Sequence, residues 1–289
     1  EASGGMAMKE IHHQDPLLEV NAATSAFTMK AARPYIPWAM MGQEAEDFIN
    51  AHIRDGRFRL TEGKLRGRLS QIADMNKKEN ADLLFLRAEV DQGVFVIAPD
   101  VPVFHRISGT MEFSNRQFSL RHMKALFGSS PCTLEGTISD YALPGPVVYT
   151  ADMKMRPDRR EILWLLGKER FGDLIFRGPS LLHLKGDGTL DRYRVTADWN
   201  LTDAAYRLPD ILEKPSLLKN QLSAEMIWSG NALSVSPFHF DLPPFNITGS
   251  VRFHFPGDMP VTMNIQSKNF DLHAVKPVLP FLRTLQPSG

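Results

Sequence analysis

Two stretches of the chain alternate apolar and polar residues, the pattern of a β-strand with one buried face. Along residues 245–255 the apolar side consists of Phe245, Ile247, Gly249, Val251, Phe253 and Phe255. Along residues 193–201 it consists of Tyr193, Val195, Ala197, Trp199 and Leu201. Both stretches therefore predict strands that are apolar on one side and polar on the other.

Alternating basic and apolar residues predict a strand at 57–71, and short apolar stretches predict further strands at 17–21, 83–90, 94–97, 181–184 and 261–266. Asp91-Gln92-Gly93 is expected to be a tight turn between two of them, because glycine permits positive φ. Few helical stretches separate the strands, which favours antiparallel pairing over βαβ units. The sequence thus predicts a mainly β protein.

Helical spacing of apolar residues predicts a helix over 38–54, which Asp55-Gly56 would end. Asp158 is expected to cap a short amphipathic helix that reaches Leu166, and Asp271 to open a similar one. The proline-rich residues 33–37 are expected to be extended. Residues 1–14 are small and polar, which favours a loose tail.

One segment occurs twice in the chain. Residues 107–120, ISGTMEFSNRQFSL, match residues 222–235, LSAEMIWSGNALSV, and the later LEGTI (134–138) matches ITGSV (247–251). The match aligns Met111 with Met226, and Phe113 with Trp228. A unit used twice is more typical of architecture than of an active site, so we interpret both copies as equivalent hairpins of one extendable sheet.

The repeat suggests three parts of the chain. Residues 1–34 would form a tail and first strand, 35–168 a first unit of helix and β-meander ending in a short helix, and 169–289 a second such meander. The two meanders could also belong to one continuous sheet.

The composition is that of an ordinary globular protein, with 289 residues of which 43% are hydrophobic and 23% charged. Lysine plus arginine equal aspartate plus glutamate at 33 each, so net charge gives no support for nucleic acid as a partner. The single cysteine, Cys132, cannot form an internal disulfide. No stretch of about 18 apolar residues predicts a membrane span.

No phosphate loop, dinucleotide fingerprint, nucleophile elbow or metalloprotease helix is present, so we expect neither an enzyme nor a cofactor. His239 and Asp241 share a strand face, but a zinc site needs a third ligand, and we expect no metal. What remains is an apolar strand face, which must be buried. The pattern favours a second protein sheet as its cover and leaves open a partner that is not protein.

Residues 94–120, VFVIAPDVPVFHRISGTMEFSNRQFSL, resemble a segment of the AsmA-like superfamily of bacterial envelope proteins, particularly its large YhdP-type and TamB-like members. Residues 48–69 are similar to that family's helix, Gly-Arg turn and Arg-Gly strand. Residues 200–215 resemble its Leu-Thr-x-Ala strand, and residues 267–275 its Phe-Asp-Leu junction. Pro99-Asp100-Val101-Pro102 lacks the tryptophan or tyrosine often found there.

The resemblance implies an elongated, curved antiparallel sheet that forms an open groove with an apolar inner face. Phospholipid acyl chains would lie in that groove on their way between the inner and outer membranes. The protein would be periplasmic, contribute to envelope biogenesis, and be tethered to the inner membrane by a segment outside this chain, with membrane proteins as further partners. A structural or interaction β-sandwich without a lipid path is the alternative. The groove residues would be Met111, Phe113, Phe118, Leu120, Leu134, Ile138, Val195, Trp199, Met226, Trp228, Phe245, Ile247, Val251, Phe253, Val261, Met263 and Ile265.

Overall fold

The structure is a computed structural model that describes residues 1–35, 43–75, 77–139, 146–209, 211–254, 262–269 and 278–280. Contacts divide the chain into two compact units. Unit 1 comprises Glu1–Gly128 and Cys132–Ala151, and unit 2 comprises Ser129–Pro131 and Asp152–Gly289. The division falls before Asp152, earlier in the chain than the division after residue 168 that the repeat suggests.

Strands dominate both units. The first nine strands are β1 (Ala2–Lys9), β2 (Leu17–Thr24), β3 (Phe27–Thr28), β4 (Ile53–Arg68), β5 (Leu84–Phe95), β6 (Phe104–Ser114), β7 (Gln117–Phe127), β8 (Ser130–Ser139) and β9 (Val148–Met155). The remaining strands are β10 (Ile175–Arg177), β11 (Leu181–Gly188), β12 (Arg192–Asn200), β13 (Ala205–Leu208), β14 (Leu212–Lys214), β15 (Gln221–Ser229), β16 (Ala232–Leu242), β17 (Phe245–His254) and β18 (Thr262–Ser267).

The helices are short. They are α1 (Met29–Ala32), α2 (Gln43–His52), α3 (Leu69–Ala73), α4 (Arg159–Leu166) and α5 (Lys168–Phe171), with 3-10 turns at Arg33–Tyr35 and Lys78–Leu83. The cap predicted for α4 is confirmed, because the Asp158 side chain accepts a hydrogen bond from the Arg159 backbone N–H at 2.7 Å. In the described part of the chain no helix has the length and apolarity needed to cross a bilayer.

Most strands belong to one antiparallel sheet of 15 strands that is not closed into a barrel. Its order is β1-β2-β4-β5-β6-β7-β8-β9-β11-β12-β15-β16-β17-β18, and β3 pairs with β4 beside this path. A second sheet in unit 2 has the order β10-β13-β14. The predicted mainly β, antiparallel fold is confirmed. Neighbours in the large sheet follow one another in sequence except where β3, β10, β13 and β14 intervene.

The two copies of the repeat form equivalent hairpins. The first copy spans the β6–β7 turn, where Asn115 and Arg116 have positive φ. The second spans the β15–β16 turn, where Gly230 has positive φ. The later halves of the match lie in β8 and β17, the next strands along the chain. The repeat is therefore a three-stranded meander in each unit.

Three local predictions are wrong. The expected loose tail contains β1, which pairs with β2 along its whole length. The expected turn at Asp91-Gln92-Gly93 lies inside β5, where the register shifts and Gln92 has positive φ, so that these residues form a bulge rather than a turn. Arg33–Tyr35 is a 3-10 turn instead of an extended connector.

Some predictions lie outside the described residues. These are the first part of the helix expected over 38–54, the helix expected at Asp271, and the groove position Val261. The described part of the first of these helices is α2, which ends at His52 because β4 begins at the next residue.

Candidate functional site: an apolar sheet face

Cross-strand register in unit 2 places one set of apolar side chains on a single face of the large sheet, here called the unit 2 apolar face. Directly opposite residues share a face, and successive residues of a strand alternate between faces. Val195 lies opposite Met226, Met226 opposite Val235, and Val235 opposite Val251, which in turn lies opposite Met263. The face thus runs without interruption from β12 to β18.

Ten of the predicted groove residues lie on this face. They are Val195, Trp199, Met226, Trp228, Phe245, Ile247, Val251, Phe253, Met263 and Ile265. The same registers add further apolar residues that were not among the predicted groove residues. These are Leu182, Leu184, Tyr193, Leu222, Leu233, Val235, Phe238, Phe240 and Leu242.

A local irregularity explains why residues of β16 were omitted from the predicted groove. The register shifts between Val235 and Phe238, so that apolar residues three apart share a face although a regular strand would separate them. The break interrupts the period-2 pattern that identified β12 and β17. Alternation that permits one bulge would place Phe238 and Phe240 on the apolar face.

Exposure along the unit 2 apolar face is graded. At one end of the strands Trp199 is 8% exposed and Leu242 fully buried. At the other end Trp228 is 41% exposed, and on β18 Met263 and Ile265 are 57% and 54% exposed. Most of the residues between them are partly exposed. The core of a closed sandwich would bury these side chains, so the face is open to solvent over much of its area.

The buried end is attached to the three-stranded sheet by polar contacts. Nζ of Lys214 on β14 donates to the backbone oxygens of Leu201, Thr202 and Ala204 at 2.6–2.8 Å. The fully buried Asn220 donates to the Asp241 backbone oxygen at 3.2 Å. The Lys214 bonds join β14 of the small sheet to the segment that follows β12, and the Asn220 bond joins the start of β15 to β16.

The opposite face of the same strands is mainly polar and carries ion pairs. Arg194 on β12 contacts Glu225 on β15 at 2.6 Å. Lys219 contacts Asp241 at 2.8 Å, and this hydrogen bond lowers the pKa of the Asp241 carboxyl group. Charged groups thus keep the second face hydrated, while Ile227 and Leu181 are apolar exceptions.

Unit 1 has an apolar face of its own with a different degree of burial. Met111 pairs with Leu120, and Phe113 with Phe118, on the face that carries Val90. Met111, Leu120 and Leu134 pack against a buried cluster of Phe58, Val90 and Met123, and Phe27 and Met29 pack there too. Ile138 lies on the side of Leu134 by strand alternation. Part of this predicted groove is therefore lined by protein.

Charged side chains form a ladder on the other face of unit 1. Glu62 contacts Arg87 at 3.2 Å, and Arg87 contacts Glu112 at 3.0 Å. Glu112 in turn contacts Arg121 at 3.1 Å, so that the ladder crosses β4 to β7. Each unit therefore has one apolar and one charged face.

Metal-ligating side chains do not cluster in the described part of the chain. No group of three or more His, Cys, Asp or Glu side chains there could hold a metal ion. His239 and Asp241 lie together on the polar face of β16, where Asp241 pairs with Lys219. Asp152 contacts His183 at 2.7 Å.

Comparison of the chain with protein-family models, with curated proteins and with solved structures found no match.

Proposed function

We propose that this protein is a non-enzymatic lipid-binding segment of a bacterial envelope protein, and that the unit 2 apolar face shields phospholipid acyl chains during transfer between the two membranes. The proposal includes a periplasmic location, a tether to the inner membrane outside this chain, and membrane-protein partners. Its motifs resemble those of AsmA-like proteins, and its geometry is that of an open sheet with one apolar face.

The observation that carries the proposal is the exposure of that face. An apolar side chain gains about 25 cal/mol for each Å² removed from water. Much of this burial free energy is not realised for Trp228, Met263 and Ile265, because each side chain is more than 40% exposed. A contiguous exposed apolar surface is typical of a binding site, and acyl chains could cover it without directional contacts.

The alternative, a structural module without a lipid path, is favoured by one observation in unit 1. Met111, Leu120 and Leu134 pack against a buried protein cluster there, as core residues do. We therefore place the lipid-binding surface mainly on unit 2 and assign the packed part of unit 1 a structural role.

The test compares two adjacent substitutions on β18. Ile265→Asp places a charge on the apolar face, and Asn264→Asp places the same charge on the opposite face. Both side chains are exposed, so neither substitution should disrupt packing. Lipid that copurifies with each variant is measured by native mass spectrometry and by organic extraction.

We expect the wild-type protein and Asn264→Asp to carry phospholipid and Ile265→Asp to carry at least about fivefold less, because a carboxylate next to an acyl chain loses its hydration. Protein free of lipid, or equal lipid content in both variants, would contradict the proposal.

A further inference from the structure

The last turn of α4 is apolar on every side, and only part of it is covered. Ile162 and Leu163 are buried at 2% and 6% exposure. The next three residues, Trp164, Leu165 and Leu166, are 41%, 56% and 41% exposed. A helix turn that is apolar all round is normally buried on all sides. The outer side of this turn instead remains substantially exposed at these three residues.

This exposure belongs to a firmly anchored helix. The buried Glu161 carboxylate accepts hydrogen bonds from the Ser129 backbone N–H at 2.9 Å, the Ser129 hydroxyl at 2.9 Å and the Ser130 hydroxyl at 2.7 Å. The Arg159 guanidinium donates to the backbone oxygens of Leu174 and Gly172 at 2.7 and 2.8 Å. The helix therefore presents its last turn in a fixed position.

A neighbouring strand carries a further exposed apolar residue. Arg159 holds the segment that leads into β10, and Ile175 on β10 is 42% exposed. We call Trp164, Leu165, Leu166 and Ile175 the α4 patch. It belongs to α4 and β10 and is made of other residues than the unit 2 apolar face.

Basic residues flank the α4 patch along the chain. Residues 159–177 contain five Arg or Lys and three Asp or Glu. One of the three acids, Glu161, is buried and satisfied by the two serines. Among the described side chains of this segment, four basic and two acidic ones are exposed. Arg160, Lys168 and Arg177 are exposed. The α4 patch thus consists of apolar side chains, including a tryptophan, in a segment with an excess of exposed basic residues.

We propose that the α4 patch docks the protein onto the surface of an anionic bilayer. Tryptophan and leucine favour the boundary between head groups and acyl chains, and surrounding cations attract anionic head groups. The proposal does not depend on the lipid-shielding function, because a surface can bind a membrane whether or not the sheet holds a lipid molecule.

Flotation of the full chain with phosphatidylcholine vesicles, with and without phosphatidylglycerol, tests this proposal. Leu165→Glu places a charge in the α4 patch. Leu190→Glu is the matched control, because Leu190 is 77% exposed in the same unit but lies outside the patch. Size-exclusion chromatography over a range of concentrations detects self-association in parallel.

We expect binding to vesicles with phosphatidylglycerol, weaker binding at high salt, and an apparent affinity at least about tenfold lower for Leu165→Glu than for Leu190→Glu. Three results would overturn the proposal: no binding by the wild type, equal loss in both variants, or self-association that Leu165→Glu abolishes while vesicle binding is unchanged. In the last case the patch would be an interface between copies of this chain.

Discussion

Lys214 shows how a single side chain can join two sheets. Its ammonium group is buried, at 1% exposure for the residue, and donates to three backbone oxygens between Leu201 and Ala204. Burial lowers the pKa of Lys214, and the nearby Asp203 carboxylate partly opposes this shift. The side chain supplies donors to backbone groups that regular strand pairing leaves open.

Replacement of this lysine should destabilise the folded protein. We expect Lys214→Met to lower the free energy of unfolding by roughly 3 kcal/mol or more, because buried carbonyl oxygens lose their donors. Lys219→Met is the control, since Lys219 is exposed and forms a surface ion pair, and its effect should be far smaller. Chemical denaturation followed by tryptophan fluorescence measures both. Equal shifts of the two midpoints would contradict this role.

Cys132 is a second residue whose behaviour follows from burial. It is 6% exposed, burial raises the pKa of its thiol, and its Sγ lies 3.6 Å from the Ala125 backbone oxygen. Because the thiolate is the reactive form, alkylation by iodoacetamide should be at least about 100-fold slower in the folded protein than in denaturant. Similar rates in both conditions would show that β8 opens readily.

At the scale of the element, the repeat has a glycine at the same position of its third strand in both units. A Cβ atom on Gly136 would lie 3.0 Å from the backbone oxygen of Thr150, and one on Gly249 would lie 2.3 Å from that of Asn264. In both units the third strand of the meander thus brings a glycine against the backbone of the following strand. Phe238 also lies close to Gly249, at 2.7 Å from the same Cβ position.

This close approach predicts a specific sensitivity to a methyl group. We expect Gly249→Ala to lower the free energy of unfolding by about 1–3 kcal/mol, because β18 or the Phe238 ring must move. Gly5→Ala on β1 is the control, since nothing lies within 4 Å of its Cβ position, and it should be close to neutral. Amide hydrogen exchange in β17 and β18 would locate the effect. Unchanged protection there would contradict it.

Elements with strong local signals could be predicted from the sequence, and elements that depend on distant partners could not. Regular alternation identified β12 and β17, and the Asp158 cap identified α4. The glycine-containing β1 has weak strand propensity and forms by pairing with β2. Likewise the bulges of β5 and β16 depend on the register of adjacent strands, which no local pattern contains.

The same distinction applies to the candidate site. Trp228 and Met263 could be assigned to the apolar side of their strands, because period 2 fixes relative sides. Their exposure could not be predicted, since alternation does not reveal what covers a face. Nor could the sequence show that Lys214 joins β14 to the segment after β12, because its three acceptors are backbone atoms.

At the scale of the whole molecule, both units have apolar residues on one face of the sheet and charged residues on the other.

An open apolar surface in the native state should bind a fluorescent apolar dye. We expect the folded protein to enhance anilinonaphthalene sulfonate fluorescence, and lysophospholipid to displace the dye. Ile265→Asp should bind less dye than Asn264→Asp, because only the former charges the apolar face. No enhancement, or an equal signal from the two variants, would contradict an accessible apolar face.

The sequential strand order has an evolutionary consequence. Each strand of the large sheet bonds mainly to its neighbours in sequence, and the meander found in unit 1 recurs in unit 2. Insertion or deletion of one hairpin would change the width of the sheet by two strands and preserve the side on which every later residue lies. Selection could therefore adjust the span of such a protein in steps of a hairpin, without redesign of the remaining strands.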